Sequence, residues 1–292
     1  MQYNRRKFIK TTGGLTGGLM LSSLSGISLL ETCSSGKKAI DFGIQLYTLR
    51  DDLPKDPKGI LKKIADFGYK QIESYEGAKG MFWGMTHTDF KKYMDDLGMT
   101  IVSSHCDISK DFEKKAAEAA AIGMKYLIYP WEGTNKTIDD YKKMAEDFNK
   151  KGELCKQNGI GFAFHNHDYS FKLLEGQLGQ NVLLDNTNPT LVEFEMDIYW
   201  VVVAGENPEA WLKKHKNRFT LCHVKDRSKT PVKNNSLNSV NLGTGTIDWP
   251  KVLSTAKANG MKHYIVEQEA YAGTTPLKAV EANAEYMKRL KI

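Results

Sequence analysis

Five helical stretches of this chain end on glycine immediately before a short apolar run. The closing pairs are Phe67-Gly68, Leu97-Gly98, Ile122-Gly123, Asn158-Gly159 and Asn259-Gly260. Glycine ends a helix readily because it adopts the left-handed backbone conformation that other residues avoid. A helix that stops on glycine and leads into a strand, repeated along the chain, is typical of alternating βα units.

Eight strand candidates alternate with helical segments. The predicted strands are Phe42–Thr48, Gln71–Tyr75, Thr100–His105, Tyr126–Tyr129, Gly161–His165, Leu191–Asp197, Phe219–Val224 and Tyr264–Glu267. The predicted helices are Pro57–Phe67, Thr88–Leu97, Phe112–Ile122, Ile138–Asn158, Pro208–Lys216, Trp249–Asn259 and Pro276–Lys291. Eight such units close into a (β/α)8 TIM barrel of about 250 residues, so we predict the α/β class and a single barrel domain over residues 40–292.

An open, doubly wound sheet is the rival architecture. It would carry a glycine-rich phosphate loop after the first strand, whereas this chain continues with Tyr47–Asp52. The glycines of Gly243–Thr246 form too short a motif in the wrong context for a dinucleotide turn. The polar insertion Arg227–Thr246 is instead typical of a long loop, which we expect over the barrel mouth.

The first 33 residues have the pattern of an export leader. A basic stretch that contains Arg5 and Arg6 resembles the twin-arginine motif, and the uncharged stretch Thr11–Leu30 follows it. A transmembrane anchor is the alternative, but glycines and serines dilute the apolar stretch. Cys33 lies in a sequence that resembles a bacterial lipoprotein cleavage site. We expect an exported protein, periplasmic or held at the membrane only by a lipid at Cys33.

The charge of the chain gives no argument for nucleic-acid binding. The formal net charge is +6, and half of it lies in residues 1–32. No basic run of five or more residues occurs, so we expect no nucleic acid among the partners.

Chemistry in such a barrel takes place at the carboxyl ends of its strands. There, Asp197, His223 and Glu267 end strands six, seven and eight. The period of two places Glu195 and Asp197 on the lumen face of strand six, because the apolar alternate residues must pack against the helices. Imidazole mixed with carboxylate suits Mn²⁺, Zn²⁺, Co²⁺ or Fe²⁺ better than Ca²⁺.

The same strand ends resemble the motifs of the xylose-isomerase-like sugar phosphate isomerase/epimerase family. The resemblance extends from Gly43–Tyr47 onward and includes Asp197, the run His223–Asp226 and the run Ile265–Glu267. It implies a (β/α)8 barrel that binds one divalent metal (Mn, Zn, Co or Mg) through Glu, Asp, His and Glu. Asp197, His223 and Glu267 match three of these ligands.

The fourth family ligand, a glutamate on strand five, is missing. Its position holds Ala163. In the family this glutamate also moves the substrate proton, so its absence argues against the usual two-glutamate epimerisation. His165 on the same face is the predicted replacement ligand, and His167 is the alternative. Glu195 either orients His165 without touching the metal or pairs with a lumen cation such as Lys225.

The other polar groups near the strand ends receive roles from their positions. Lys225 is predicted to stabilise an enolate or hold a substrate oxygen, with a structural ion pair as the alternative. His105, Glu73 and Glu269 are predicted to act in acid and base catalysis or to bind hydroxyls. The predicted sugar-binding residues are His167, Trp131 and Trp200, and Trp83 follows strand two in a similar position.

The resemblance implies chemistry on a sugar next to a carbonyl. A metal would acidify the α proton of a keto-sugar or keto-glycoside, and a base would remove it to give an enediolate. Returning the proton gives isomerisation or epimerisation, whereas loss of a β-substituent makes the protein a lyase or hydratase. A carbohydrate-binding protein without activity is a further alternative. Phosphodiester cleavage is disfavoured, because the abasic-site endonucleases that share this barrel need more histidines and zinc ions.

Overall fold

The computed structural model describes residues 40–292. The predicted leader, with Arg5, Arg6 and Cys33, lies outside these residues. Among the described helices, none combines the length and the apolar character needed to cross a bilayer.

Eight parallel strands form a closed barrel, which confirms the predicted fold class. They are β1 (Gly43–Gln45), β2 (Gln71–Tyr75), β3 (Thr100–His105), β4 (Tyr126–Tyr129), β5 (Gly161–His165), β6 (Val192–Asp197), β7 (Phe219–Val224) and β8 (His263–Val266). Each strand pairs with its neighbours in sequence, and β8 pairs with β1 to close the ring. All carboxyl ends therefore meet at one rim.

Nine α-helices lie between or after the strands of the described chain. They are α1 (Pro57–Asp66), α2 (His87–Asp96), α3 (Phe112–Ala121), α4 (Ile138–Gln157), α5 (Gly179–Asn186), α6 (Ile198–Val203), α7 (Pro208–Lys214), α8 (Trp249–Ala258) and α9 (Pro276–Arg289). Proline begins α1, α7 and α9, where its missing N–H costs nothing and its fixed φ suits the first turn.

Two helices were absent from the sequence prediction, and one strand was predicted too long. The segment Ile198–Val203 is aromatic and β-branched, so its helical propensity is poor. It forms α6 because the Asp197 carboxylate caps it, accepting from the amide of Trp200. Strand β1 ends at Gln45, whose side chain accepts from the Tyr47 amide and starts a 3₁₀ turn.

The barrel lumen contains a small apolar cluster below its polar rim, which we call the lower layer. Its members are Val102, Tyr126, Ile128, Ala163 and Leu221, all buried. Most other buried apolar residues form a second, larger cluster that packs the strands against the helices. The lower layer therefore fills the lumen directly below the candidate site.

The insertion after β7 is tied down at both ends. Asp226–Arg227 pairs with Ser239–Val240 in an antiparallel bridge. The carboxylate of Asp226 then accepts hydrogen bonds from the amides of Gly243, Gly245 and Ile247. A Cβ atom at Gly245 would lie 2.2 Å from this carboxylate, so the close approach requires glycine. The two glycines that we excluded as a dinucleotide turn thus hold a loop in place.

Candidate active site

A cavity of about 840 Å³ opens at the carboxyl ends of the strands. Eight of the predicted site residues line it: His105, His165, His167, Trp131, Trp200, Lys225, Glu267 and Glu269. Four others lie below or beside it and are fully buried: Glu73, Glu195, Asp197 and His223. The structure therefore brings all twelve together, whereas Trp83 packs in the core and donates to Ser74.

Asp197, His223 and Glu267 form a compact group that we call the mouth group. Their ligand atoms all lie within 4.8 Å of one another. Nδ1 of His223 is 3.1 Å from Oε2 of Glu267 and 3.7 Å from Oδ2 of Asp197. One imidazole and two carboxylates in this arrangement fit a divalent cation of the Mn²⁺ or Zn²⁺ type. The residues present are thus suited to the metal that the sequence predicts.

His165, the predicted replacement for the strand-five glutamate, lies beside the mouth group. Its Nε2 atom is 3.8 Å from Oδ2 of Asp197. Burial, with the charge on His223 second, holds the pKa of His165 well below its ordinary value. The ring is therefore neutral and has a lone pair to offer a metal. Ala163 lies two residues lower on β5, in the lower layer, and contributes no polar atom.

The backbone around Asp197 fixes the direction of its carboxylate. Oδ1 caps α6 by accepting from the amide of Trp200 at 3.1 Å. The Asn166 amide bonds the backbone N–H and C=O of Asp197, each at 3.2 Å. These contacts leave Oδ2 directed toward His223 and Lys225.

Lys225 lies among three carboxylates. Its ammonium is 3.1 Å from Glu267 Oε2, 3.5 Å from Asp197 Oδ2 and in direct contact with Glu269. Burial disfavours the ammonium, but the charges of Glu267 and Glu269 more than offset it, so the pKa of Lys225 lies well above its ordinary value. The ammonium also lies over the rings of Tyr199 and Trp200, each centroid 5.1 Å away. Lys225 is thus a fixed positive charge that lines the cavity.

Glu195 contacts three histidines rather than Lys225. Its Oε2 atom is 2.9 Å from His105 Nε2, 3.0 Å from His165 Nδ1 and 3.3 Å from His223 Nε2. The predicted contact with His165 is thus present. Burial and the nearby charge of Glu73 raise the pKa of Glu195 to about 7.

Glu73 lies below the cavity and holds two of these histidines. Oε1 is 2.7 Å from His223 Nε2 and 3.0 Å from His105 Nε2. Burial alone would raise the pKa of Glu73, but the charges and hydrogen bonds of the two imidazoles hold it well below its ordinary value. Gln45 and Ser103 donate to the same carboxylate at 2.7 and 2.6 Å.

His105 connects this buried network to the cavity. Burial disfavours its charged form, but Glu73 and Glu195 outweigh that effect and raise the pKa of His105 to about 9. The imidazole is therefore protonated at neutral pH and can donate a proton to a group in the cavity.

Aromatic rings surround His167 in the wall of the cavity. The ring stacks on Tyr169 at 5.6 Å, and Trp131 and Trp200 lie 4.8 and 5.4 Å away. Burial lowers the pKa of His167 to about 3. Its Nδ1 atom is buried and has no hydrogen-bond partner, while Trp131 is 51% exposed at the cavity wall. This part of the cavity wall therefore presents aromatic ring faces and one polar atom without a partner among the described residues, Nδ1 of His167.

Sequence reasoning assigned no role to three residues at or near strand ends that support the site. Gln45 and Ser103 bond Glu73, and Asn166 positions Asp197. Asn234–Ser236, in the long insertion, line the cavity as expected of a loop over the mouth. Gln45 carried the only available signal, since a buried glutamine at the end of an apolar strand needs a polar partner.

Comparison with known proteins identifies several that are similar to this chain. The sequence profile of a family described as xylose isomerase-like TIM barrel matches residues 61–290. A crystal structure of a sugar phosphate isomerase/epimerase from Parabacteroides distasonis is 31% identical, with a TM-score of 0.73. That alignment covers 84% of this chain and 96% of the other.

Two further similarities concern a dehydratase and a zinc protein. An inosose dehydratase of Mesomycoplasma hyopneumoniae is 26% identical over 209 residues, which are 68% of this chain and 63% of that relative. A crystal structure of the IOLI protein with a binding zinc atom has a TM-score of 0.69 and covers 84% of this chain and 96% of its own. Its identity of 16% shows likeness of fold alone.

Proposed function

The chain belongs to the xylose isomerase-like TIM barrel family, and from this premise we propose that it is a metal-dependent enzyme that acts on a keto-sugar or keto-glycoside. The observation that carries the proposal is the mouth group at the carboxyl ends of the strands, beside a cavity with a buried lysine. Asp197, His223 and Glu267 would hold the metal, with His165 as the fourth ligand. A metal bound there would supply Lewis-acid polarisation of a substrate oxygen.

Glu269 is the proposed base that removes the proton next to the carbonyl. It lines the cavity and contacts Lys225. Burial raises its pKa above the ordinary glutamate value even though Lys225 opposes the shift. A raised carboxylate pKa brings the base closer to the operating pH, which favours proton transfer. The Lys225 ammonium would stabilise the negative charge that develops on the substrate oxygen.

Isomerisation or epimerisation is the first candidate outcome, because the alignment with the isomerase/epimerase structure covers nearly all of that protein's chain. Elimination is the second, and His105 is the observation that favours it. With a pKa of about 9, this imidazole can protonate a departing hydroxyl or alcohol on the cavity side. The inosose dehydratase relative bears a name that describes elimination.

We also propose that the substrate is extracytoplasmic. The proposal rests on Arg5 and Arg6 and on the uncharged stretch that follows them, all outside the described residues. In the native host, a double variant with Arg5→Lys and Arg6→Lys should remain unprocessed in the cytoplasm. Export of this variant at the normal level would contradict the twin-arginine assignment.

Solvent-isotope exchange tests the reaction. The metal-loaded protein is incubated in D₂O with a panel of keto-sugars and keto-glycosides, and products are followed by NMR. Deuterium at the α carbon without loss of a substituent supports isomerisation or epimerisation, and loss of a β-substituent supports elimination. Glu269→Gln should abolish both, whereas Glu285→Gln, the same change on exposed α9, should abolish neither. Exchange that survives in Glu269→Gln would exclude Glu269 as the base.

A further inference from the structure

A second group of metal-binding atoms includes Glu195, which lies two residues before Asp197 on β6 and therefore lower in the lumen. This deep group consists of His105, His165, Glu195 and His223, whose ligand atoms lie within 4.8 Å of one another and whose side chains are all buried. We propose that the deep group is an alternative metal site, which takes Zn²⁺ and competes with the mouth group. The proposal concerns metal binding and does not depend on the substrate or on the reaction.

The distances from Glu195 to the three imidazoles are close to those between ligands of a tetrahedral ion. Oε2 of Glu195 lies 2.9, 3.0 and 3.3 Å from the nitrogens of His105, His165 and His223. With metal–ligand bonds of about 2.0–2.1 Å, neighbouring ligands of a tetrahedral Zn²⁺ lie about 3.3–3.4 Å apart. The carboxylate lies within a few tenths of an ångström of this spacing, and the three imidazole nitrogens, all within 4.8 Å of one another, would close around the ion.

Hydrogen bonding within the protein leaves part of the deep group unsatisfied. Three imidazole nitrogens crowd one oxygen of Glu195, while its Oε1 atom is buried and has no partner. A buried carboxylate oxygen without a partner is costly in a folded protein. Glu73 Oε1, at 3.0 Å from His105 Nε2, adds a further oxygen at the same centre.

The two groups share His223, and His165, the proposed fourth ligand at the mouth, also faces both groups with opposite nitrogens. His223 directs Nδ1 to Glu267 and Asp197 but Nε2 to Glu195. His165 directs Nε2 to Asp197 but Nδ1 to Glu195. Because a neutral imidazole has one lone pair, each ring can bind a metal on one side only. The chain therefore holds one ion at a time, in either group.

The donor types separate the two groups chemically. Three imidazoles and a carboxylate suit Zn²⁺, which prefers nitrogen ligands and four-coordination. The mouth group has two carboxylates, which suit the harder ions Mn²⁺ and Mg²⁺ better. The mouth carboxylates also contact the ammonium of Lys225, whose positive charge opposes the binding of a cation there. The deep group has no lysine among its contacts in the described residues.

Metal titration of the full chain tests this inference. Metal-free protein is titrated with Zn²⁺ against a chromophoric chelator, and X-ray absorption counts the imidazoles around the bound ion. Three imidazoles are expected for the deep group, against at most two for the mouth group. His105→Ala removes a donor from the deep group alone, and Asp197→Asn removes one from the mouth group alone. His87→Ala is the control, since His87 lies outside both groups on α2.

We expect His105→Ala to weaken Zn²⁺ binding by at least about 100-fold, while Asp197→Asn and His87→Ala change it by less than about tenfold. Glu195→Gln, which keeps the side-chain volume, provides a second deep-group variant, and thermal unfolding confirms that each variant folds. Zn²⁺ affinity unchanged in both deep-group variants would overturn the proposal. So would equal losses in His105→Ala and Asp197→Asn, because they would indicate one common centre. Neither result would bear on the isotope-exchange test of the reaction.

Discussion

Two layers of the barrel lumen share strands β3, β5 and β7 but differ in polarity. On β5, Ala163 belongs to the apolar lower layer, and His165 belongs to the site two residues later. On β7, Leu221 and His223 repeat this step. On both strands the apolar residue and the histidine point into the lumen, so the step between the layers is a change of side chain. The lower layer stabilises the barrel, and the rim carries the polar chemistry, as in other barrels of this type.

The largest difference between the two layers is expected for metal binding after a substitution on β7. His223→Ala removes the residue that belongs to both groups of metal-binding atoms. We expect metal affinity to fall by at least about 100-fold, and turnover to fall with it. Metal analysis after dialysis, together with the isotope-exchange assay, measures both. Full metal occupancy in His223→Ala would contradict the assignment of the whole site.

Leu221→Ala is the matched change in the lower layer. Leu221 is fully buried, and truncation to alanine in such a position costs about 2–5 kcal/mol of unfolding free energy. Chemical denaturation measures this loss. Metal bound per folded chain should stay the same, because no donor is removed. Loss of metal from folded Leu221→Ala would show that the two layers are not independent.

A smaller effect is expected at the cavity wall. Trp131 is half exposed and lies against His167. Replacement of Trp131 by alanine should raise KM without lowering kcat, because an aromatic contact worth about 0.5–1.5 kcal/mol would be lost from substrate binding. Steady-state kinetics on the substrate found in the exchange screen measures it. An equal fall in kcat would place Trp131 in the chemistry instead.

A further effect concerns the pH dependence of stability and the lower end of β8. Burial, with the charge of Lys262 second, lowers the pKa of His263 in the folded state. Above pH 6.5 the imidazole is neutral in both states. As the pH falls below 6.5, the unfolded chain takes up a proton that the folded chain resists, so stability decreases.

His263→Gln should therefore flatten the pH dependence of unfolding between pH 6.5 and 5. The change is at most one proton, or about 1.4 kcal/mol per pH unit. Denaturation midpoints of both proteins across this range provide the measurement. A steeper dependence in His263→Gln would mean that the pKa shift has the opposite sign.

The barrel and the ring of strand ends follow from the sequence, because both depend on local patterns. The glycines that end the helices locate the strands, and the two-residue alternation of side chains gives the face of each residue. Together they assign Asp197, His223 and Glu267 to one rim. Which side chains contact one another across the rim depends on the register of strand pairing. This register is irregular between β6 and β7. Between β6 and β7 the pairing shifts from Phe194–Phe219 to Glu195–Leu221. Without this shift Asp197 would lie opposite Cys222 instead of His223.

A second irregularity explains why the environment of Glu195 could not be predicted in full. Between β2 and β3 the pairing passes from Ile72–Ile101 to Glu73–Ser103. The shift brings Glu73 beside His105 and His223, where it competes for their nitrogens. A single sequence does not reveal such bulges, because they depend on how neighbouring strands fit together. The partner of Glu195 therefore remained a choice between His165 and Lys225.

The hydrogen bonds that Asp226 accepts from its loop have a consequence for engineering. The amides of Gly243, Gly245 and Ile247 close on one carboxylate, so the chain leaves the barrel and returns to it at nearly the same point. We expect the stretch 228–238 between these anchors to tolerate exchange as a cassette, at the cost of the hydrogen bond that Tyr199 donates to the backbone of Asn235. New loops grafted between Arg227 and Ser239 would reshape the roof over the cavity while the metal-binding atoms stay in place. Directed evolution of substrate range should begin in this cassette.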